Sequence, residues 1–225
     1  MQTNTHLAVG ACLGLTFTLA APTEITVLGL CATSIGAIIP DIDIDGTGKK
    51  ETKYIIMGIS AALALVPVLA GLVCMPGIFE LLKRTSFMSL TSFMNLTSSA
   101  ATKGAISWQF IAFLISTILG FALFIGLCAF SNKTDHRTFS HSFMGTALFT
   151  FSIVLINPLA AGFFLLGYLS HIGLDLLNYR PVMLMYPKKR GFSFRVCFSN
   201  SRFSLNLLIF SVIILIIESI MKGCL

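Results

Sequence analysis

Seven apolar stretches constrain the fold of this chain more than any other feature of its sequence. A helix needs about 20 apolar residues to cross a bilayer, and the stretches at 54–75 and 106–130 reach that length comfortably. The others are shorter, so we expect them to be tilted, partly buried or re-entrant. The stretches run over residues 7–21, 25–39, 54–75, 106–130, 142–156, 158–172 and 205–221. The pattern predicts an all-α fold, a polytopic bundle of membrane helices.

The composition excludes most soluble classes. Hydrophobic residues make up 56% of the 225 residues and charged residues 11%, against roughly 45–50% and 25% in an average soluble domain. The net charge is +6, but the cations form no clustered stripe with stacking aromatic residues, so we expect no nucleic-acid partner. Membrane lipid is the expected solvent and a candidate substrate. The six cysteines are scattered, mostly inside apolar stretches, which is typical of small core residues.

Two breaks in the apolar pattern predict short helical hairpins. Pro22 separates the first two stretches, and the Asn157-Pro158 pair separates two later ones. A hairpin returns the chain to the side from which it started, and the two long stretches between the hairpins add an even number of crossings. The ionisable residues at the open ends of both hairpins are therefore expected at one membrane face.

Four short motifs at those ends contain every histidine and every aspartate of the chain. Ionisable groups at the ends of membrane helices are costly to desolvate, so such a concentration needs a compensating partner. A divalent cation bound by imidazole and carboxylate is the simplest one. The motifs are Thr5-His6, residues 40–45 with three aspartates, residues 135–141, and residues 171–175.

His171 and Asp175 are four residues apart, which is about 40° around a helix, so both side chains lie on one face. This spacing suits a pair of metal ligands. The alternative is a structural histidine that is hydrogen-bonded to a carboxylate inside the bundle.

His136 and His141 are about 140° apart around a helix, so one of them must precede the helix if both are to reach one ion. Ser140 or Thr138 can serve as the N-cap, which would leave His136 in the loop and His141 in the first turn. Each histidine read alone is also typical of a capping or interfacial role. Arg137, between them, suits contact with a substrate phosphate, or else it is an interfacial arginine whose charge reaches water.

Asp41, Asp43 and Asp45 alternate at the end of the first hairpin. A calcium loop is not favoured, because position 52 is Thr52 where such a loop needs a glutamate. A solvated acidic turn is one alternative, and carboxylate ligation of an ion shared with the histidines is the interpretation we prefer. Asp41 and Asp43 are favoured because they directly follow the helix, and if Asp41 is the ligand, Asp43 is the candidate general base.

Imidazole and carboxylate together suit zinc, with manganese or iron as alternatives. One open zinc site uses three protein ligands, so the number of candidates is also enough for a two-metal centre.

The motif series resembles the YdjM family of inner-membrane proteins, described as LexA-regulated, membrane-bound, metal-dependent hydrolases. The likeness covers residues 1 to about 180 and rests on Thr-His at 5–6, Gly-Ala-x-x-Pro-Asp-x-Asp at 36–43, His-Arg-x-x-Ser-His at 136–141 and Gly-Tyr-x-Ser-His-x-x-x-Asp at 167–175. That family is in turn distantly similar to the zinc-dependent phospholipase C and single-strand nuclease group. This resemblance implies the metal ligands His6, Asp41, His136, His141, His171 and Asp175.

The preferred function is therefore a membrane-bound, metal-dependent hydrolase that cleaves a lipid phosphoester with an activated water. The alternative is a metal-binding membrane transporter or sensor; the near absence of polar residues in the middle of the stretches disfavours an ion pathway. A structural interaction protein would leave the clustered histidines and aspartates unexplained.

Residues 1–225 are expected to form one integral-membrane domain, with the motifs in 1–180 and a basic loop and last helix in 181–225. Residues 76–105 are either an interfacial amphipathic stretch or a plain loop. The first apolar stretch follows no Lys or Arg, so we expect a retained helix and not a cleaved signal peptide. Eleven of the 15 Lys and Arg residues fall on the candidate-site face, which predicts that this face is cytoplasmic.

Overall fold

The computed structural model describes residues 2–43, 108–188, 190–198 and 201–224. Within these ranges the protein is all-helical, as the sequence predicts. The helices are α1 (Thr3–Thr18), α2 (Thr23–Ile38), a 3-10 helix (Ile39–Asp43), α3 (Trp108–Ser131), α4 (Phe143–Ile156), α5 (Pro158–Leu176) and α6 (Arg202–Cys224). The predictions for residues 54–75 and 76–105 and for Asp45 lie outside the described residues, as does the side chain of Asp43.

Both predicted hairpins are present. Pro22 is the N-cap residue of α2, and the Thr26 hydroxyl donates to the Thr18 carbonyl across the first turn at 3.1 Å. Asn157 ends α4 and caps α5, because its side-chain oxygen accepts from the backbone N–H groups of Leu159 and Ala160 at 3.0 and 3.1 Å. The Asn157 cap satisfies donors that the start of α5 would otherwise leave unpaired.

The predicted N-cap of α4 was wrong. Ser142 caps the helix, and its hydroxyl accepts from the Gly145 N–H at 3.0 Å. The hydroxyl of Ser140 lies 2.9 Å from the His141 ring instead, and that of Thr138 bonds a carbonyl within its own turn. His141 therefore lies before α4 and not in its first turn.

Three helices in the described part of the chain are long and apolar enough to cross a membrane: Thr23–Ile42, Pro158–Leu176 and Arg202–Gly223. The corresponding apolar stretches at 25–39, 158–172 and 205–221 are each shorter than a full crossing. Each helix reaches spanning length because flanking residues extend it. Helix α4 (Phe143–Ile156) is a shorter apolar helix, and Ile115–Ser131 is an apolar part of α3.

Helix α2 packs against both α1 and α5, and glycines bring the backbones close together. A Cβ atom on Gly36 would overlap the Phe164 carbonyl, and one on Gly167 would overlap the Thr33 carbonyl. Small residues at such crossings allow tight packing inside a membrane, where water does not drive helices together. The close α2–α5 contact places the end of α2 beside the second half of α5.

Helix α6 packs on the outer side of α1 and exposes most of its apolar surface, as a lipid-facing helix does. At one end, the hydroxyls of Thr5 and Ser204 lie 3.2 Å apart. At the other end, the Lys222 ammonium donates to the Leu19 carbonyl at 2.8 Å, where a cation offsets the negative end of the α1 dipole.

Gly167→Ala is expected to lower the free energy of unfolding by about 1–3 kcal/mol, because the added methyl group forces α5 away from α2. Gly162→Ala in the same helix is the matched control, since a methyl group added there would meet no atom within 4 Å. Thermal unfolding of both variants in detergent measures the difference. Equal midpoints for the two variants would contradict the close packing of α2 on α5.

Candidate metal centre

Four ionisable side chains from three segments converge at one end of the bundle. They are Asp41 from the 3-10 helix, His141 from the turn before α4, and His171 and Asp175 from α5. One candidate ligand atom from each lies within 4.8 Å of the other three. The two histidines and Asp175 are fully buried. This group can hold a metal ion.

The distances between these atoms suit coordination of one ion. His171 Nε2 lies 3.2 Å from His141 Nε2 and 3.5 Å from Asp41 Oδ1. His141 Nε2 lies 3.5 Å from Asp175 Oδ2 and 3.9 Å from Asp41 Oδ1. In a tetrahedral zinc site with bonds of about 2.0–2.1 Å, neighbouring ligand atoms are about 3.4 Å apart.

Hydrogen bonds orient both imidazoles toward the group. His171 Nδ1 lies 2.7 Å from the Ala37 carbonyl; since a carbonyl only accepts, Nδ1 donates and Nε2 of the neutral ring keeps its lone pair. His141 Nδ1 lies 2.9 Å from the Ser140 hydroxyl, and the Tyr168 hydroxyl donates to the Ser140 carbonyl. Metal-binding histidines commonly have their second nitrogen held in this way.

Charge balance also favours a cation. Asp41 and Asp175 are two carboxylates, and Arg137 contacts one of them, with Nη2 2.9 Å from Asp175 Oδ2. Buried charges are costly unless they are compensated. A protonated histidine or a bound metal ion would balance the Asp41 carboxylate, so the donor set fits a cation.

His6 lies beside the group without being one of its four members. Its ring stacks on that of His171, with centroids 3.8 Å apart and planes at 20°. Its Nε2 atom lies 3.4 Å from Asp175 Oδ1, whereas its buried Nδ1 atom has no hydrogen-bond partner among the described residues. The structure thus places this predicted ligand against two members of the group.

The structure does not bring His136 into the group. Its side chain is exposed, and its ring meets the edge of the His141 ring with centroids 5.4 Å apart. Arg137, the predicted contact for a substrate phosphate, is buried; it donates to the Arg180 carbonyl at 2.8 Å and contacts Asp175. Its backbone is left-handed, with φ of 65°.

Several residues that support the site were not predicted from the sequence. The Thr3 hydroxyl donates to Asp41 Oδ2 at 3.3 Å, and the Ala37 carbonyl holds His171. Tyr168 and Ser140 lie inside the conspicuous motifs, but the motif pattern alone assigns them no role. A backbone carbonyl gives no residue-type pattern, so only the tertiary structure identifies Ala37.

Together, the fold and the cluster define a helical membrane protein with a buried histidine and aspartate group that can hold a metal ion. The family model described as YdjM inner membrane protein matches residues 1–224. The chain therefore belongs to the YdjM family, as its motifs indicate. No curated protein and no solved structure gives a match.

His141→Ala and His136→Ala form a matched pair for testing the metal group. We expect purified parent protein to carry a divalent metal and His141→Ala to lose affinity by more than about 100-fold, because removal of a ligand costs more than removal of an outer-shell partner. His136→Ala should retain the metal. Elemental analysis by mass spectrometry, with a titration of added zinc, measures both. A metal-free parent, or equal metal loss in both variants, would contradict the four-residue group.

Proposed function

We propose that this protein is a membrane-bound, metal-dependent hydrolase that cleaves a phosphoester in a phospholipid or related lipid. The observation that carries the proposal is the convergence of Asp41, His141, His171 and Asp175 at the end of two candidate membrane spans. The family has an inner-membrane description, and a buried polar cluster at a membrane boundary is costly without a function.

His141, His171 and Asp41 would hold the ion, most suitably Zn²⁺, with Mn²⁺ or Fe²⁺ as alternatives. A divalent ion supplies Lewis acidity there, because it makes a coordinated water more acidic and polarises a phosphoryl oxygen. Two imidazoles and one carboxylate match the three-ligand sets of hydrolytic zinc enzymes. A second ion beside His6 would extend the same chemistry.

Asp175 is shared between the group and its neighbours. Arg137 approaches Oδ2 at 2.9 Å and His6 approaches Oδ1 at 3.4 Å. A carboxylate held in this way by a guanidinium is a weak proton acceptor, so Asp175 serves better to orient the site than to act as general base. Asp43 remains our candidate for the base.

A lipid substrate follows from the position of the site. Asp41 and Asp175 lie at the ends of the spans Thr23–Ile42 and Pro158–Leu176, where lipid headgroups meet the hydrocarbon. Asp41 is the least buried member of the group. We therefore infer that a headgroup phosphate enters from the Asp41 side.

Hydrolysis is tested with protein reconstituted into vesicles of phosphatidylethanolamine and phosphatidylglycerol. We expect zinc-dependent release of the phosphorylated headgroup. The rate of release should fall by at least about 100-fold in His171→Ala, because a metal ligand is removed. His136→Ala is the control, and chelation followed by zinc addition should restore activity in the parent. Metal-loaded parent protein that releases no product from either lipid would contradict lipid phosphoester cleavage.

Metal transport is a second candidate, favoured by the complete burial of His141, His171 and Asp175. Four donors can close a zinc coordination shell and leave no position for water. Zinc-sensitive dye trapped inside the same vesicles distinguishes the two functions. Zinc uptake that requires His171, without product release, would make transport the function.

We further propose that the site faces the cytoplasm. The exposed cations Lys133, Arg180 and Lys188 lie at the site end of the described helices, and Lys222 lies at the other end, which is the bias that sets orientation in membranes.

A phosphatase reporter fused after Lys222 should therefore be active on the outer side of the inner membrane. An epitope tag inserted beside the exposed Lys133 should react only after the membrane is permeabilised. A reporter after Lys222 that proves to be cytoplasmic would contradict this orientation. Labelling of the tag in intact and in permeabilised cells provides the second measurement.

A further inference from the structure

The segment that joins α5 to α6 is a second feature of the site end, and the proposed hydrolysis does not use it. We call residues 178–188 and 190–198 the basic aromatic loop. Between Asp175 and Glu218 the sequence contains six Lys or Arg residues and no acidic residue. Four of those cations have exposed side chains in the loop: Arg180, Lys188, Arg190 and Arg195.

Backbone hydrogen bonds hold the loop against the end of α5. The N–H groups of Phe194 and Val196 donate to the carbonyls of Leu176 and Leu177 at 2.7 and 2.9 Å. Val182 and Phe192 exchange two further bonds at 2.8 and 2.9 Å. The loop therefore has its own bridged structure and also satisfies carbonyls at the end of the helix.

The outer surface of the loop is apolar. The side chains of Phe194, Val196 and Phe198 are 70%, 59% and 64% exposed, and that of Met185 is 53% exposed. In contrast, Cys197 between them is buried. Phe198 also stacks on the exposed ring of Tyr179, with centroids 4.2 Å apart.

The loop lies at a membrane boundary, because one candidate span ends at Leu176 and the next begins at Arg202. Irregular backbone does not enter the lipid hydrocarbon, whereas aromatic side chains at this level insert among the headgroups. Cations beside them are attracted to anionic lipid. Arg190 places a cation beside an aromatic ring, since its guanidinium lies 5.8 Å from the centre of the Phe192 ring.

We propose that the basic aromatic loop binds anionic phospholipid, with its aromatic side chains inserted at the headgroup level and its arginines and lysine on the lipid phosphates. The surface lies next to the metal group, since Arg137 contacts both Asp175 and the Arg180 carbonyl. The proposal does not depend on hydrolysis, because lipid binding is measured without turnover.

The test uses the full chain with a single tryptophan in the loop. Trp108 is the one native tryptophan, so the variant combines Trp108→Phe with Phe194→Trp. It is reconstituted in phosphatidylcholine vesicles that contain a minor fraction of brominated phosphatidylglycerol, or the same fraction of brominated phosphatidylcholine. We expect the brominated anionic lipid to quench the fluorescence about twofold more strongly, and high salt to reduce the difference.

Replacing Lys188, Arg190 and Arg195 by glutamine in this background should abolish the preference and retain quenching by both lipids. Lys133→Gln, which removes an exposed cation at the same end outside the loop, should leave the preference unchanged. Circular dichroism verifies that each variant is folded. Equal quenching by the two lipids in the protein that retains Lys188, Arg190 and Arg195 would overturn headgroup binding. An unquenched, water-like emission from the Phe194→Trp protein would overturn lipid contact.

Discussion

Two carboxylates buried at the end of a membrane bundle, Asp41 and Asp175, are the constraint on which the rest of the site depends. A buried charge is stable only where neighbouring groups compensate it. Arg137 approaches Asp175 at 2.9 Å, and His171 approaches Asp41 at 3.5 Å. These contacts bind the end of α2, the turn before α4 and the end of α5 to one another, so the cluster is also part of the fold.

The cluster forms because three helices approach closely. The glycine contacts between α2 and α5 bring Ala37 within hydrogen-bonding distance of the His171 ring. Helix α1 adds His6, whose ring stacks on His171. Larger residues at the crossings would separate these elements by more than a metal site tolerates, since ligands must lie within a few tenths of an ångström of their positions.

Several parts of this arrangement were predictable from local rules. The spacing of His171 and Asp175 predicts one helix face, and both contact the same cluster. Prolines and asparagine predict the hairpins, because their effects act within a few residues. The N-cap of α4 was not predictable, since Ser140 and Ser142 are chemically equivalent and only the position of the His141 ring distinguishes them.

Hydropathy and motif spacing were enough to assign the membrane class, the helical fold, the family and the short list of ionisable residues, because both are properties of the chain. Which of these residues meet became known only from the three-dimensional arrangement. It gathers His141, His171, Asp41 and Asp175 and leaves His136 exposed. It also pairs Arg137 with Asp175. These outcomes depend on where helices cross and which way a turn points, and both are set by packing between residues far apart in the chain.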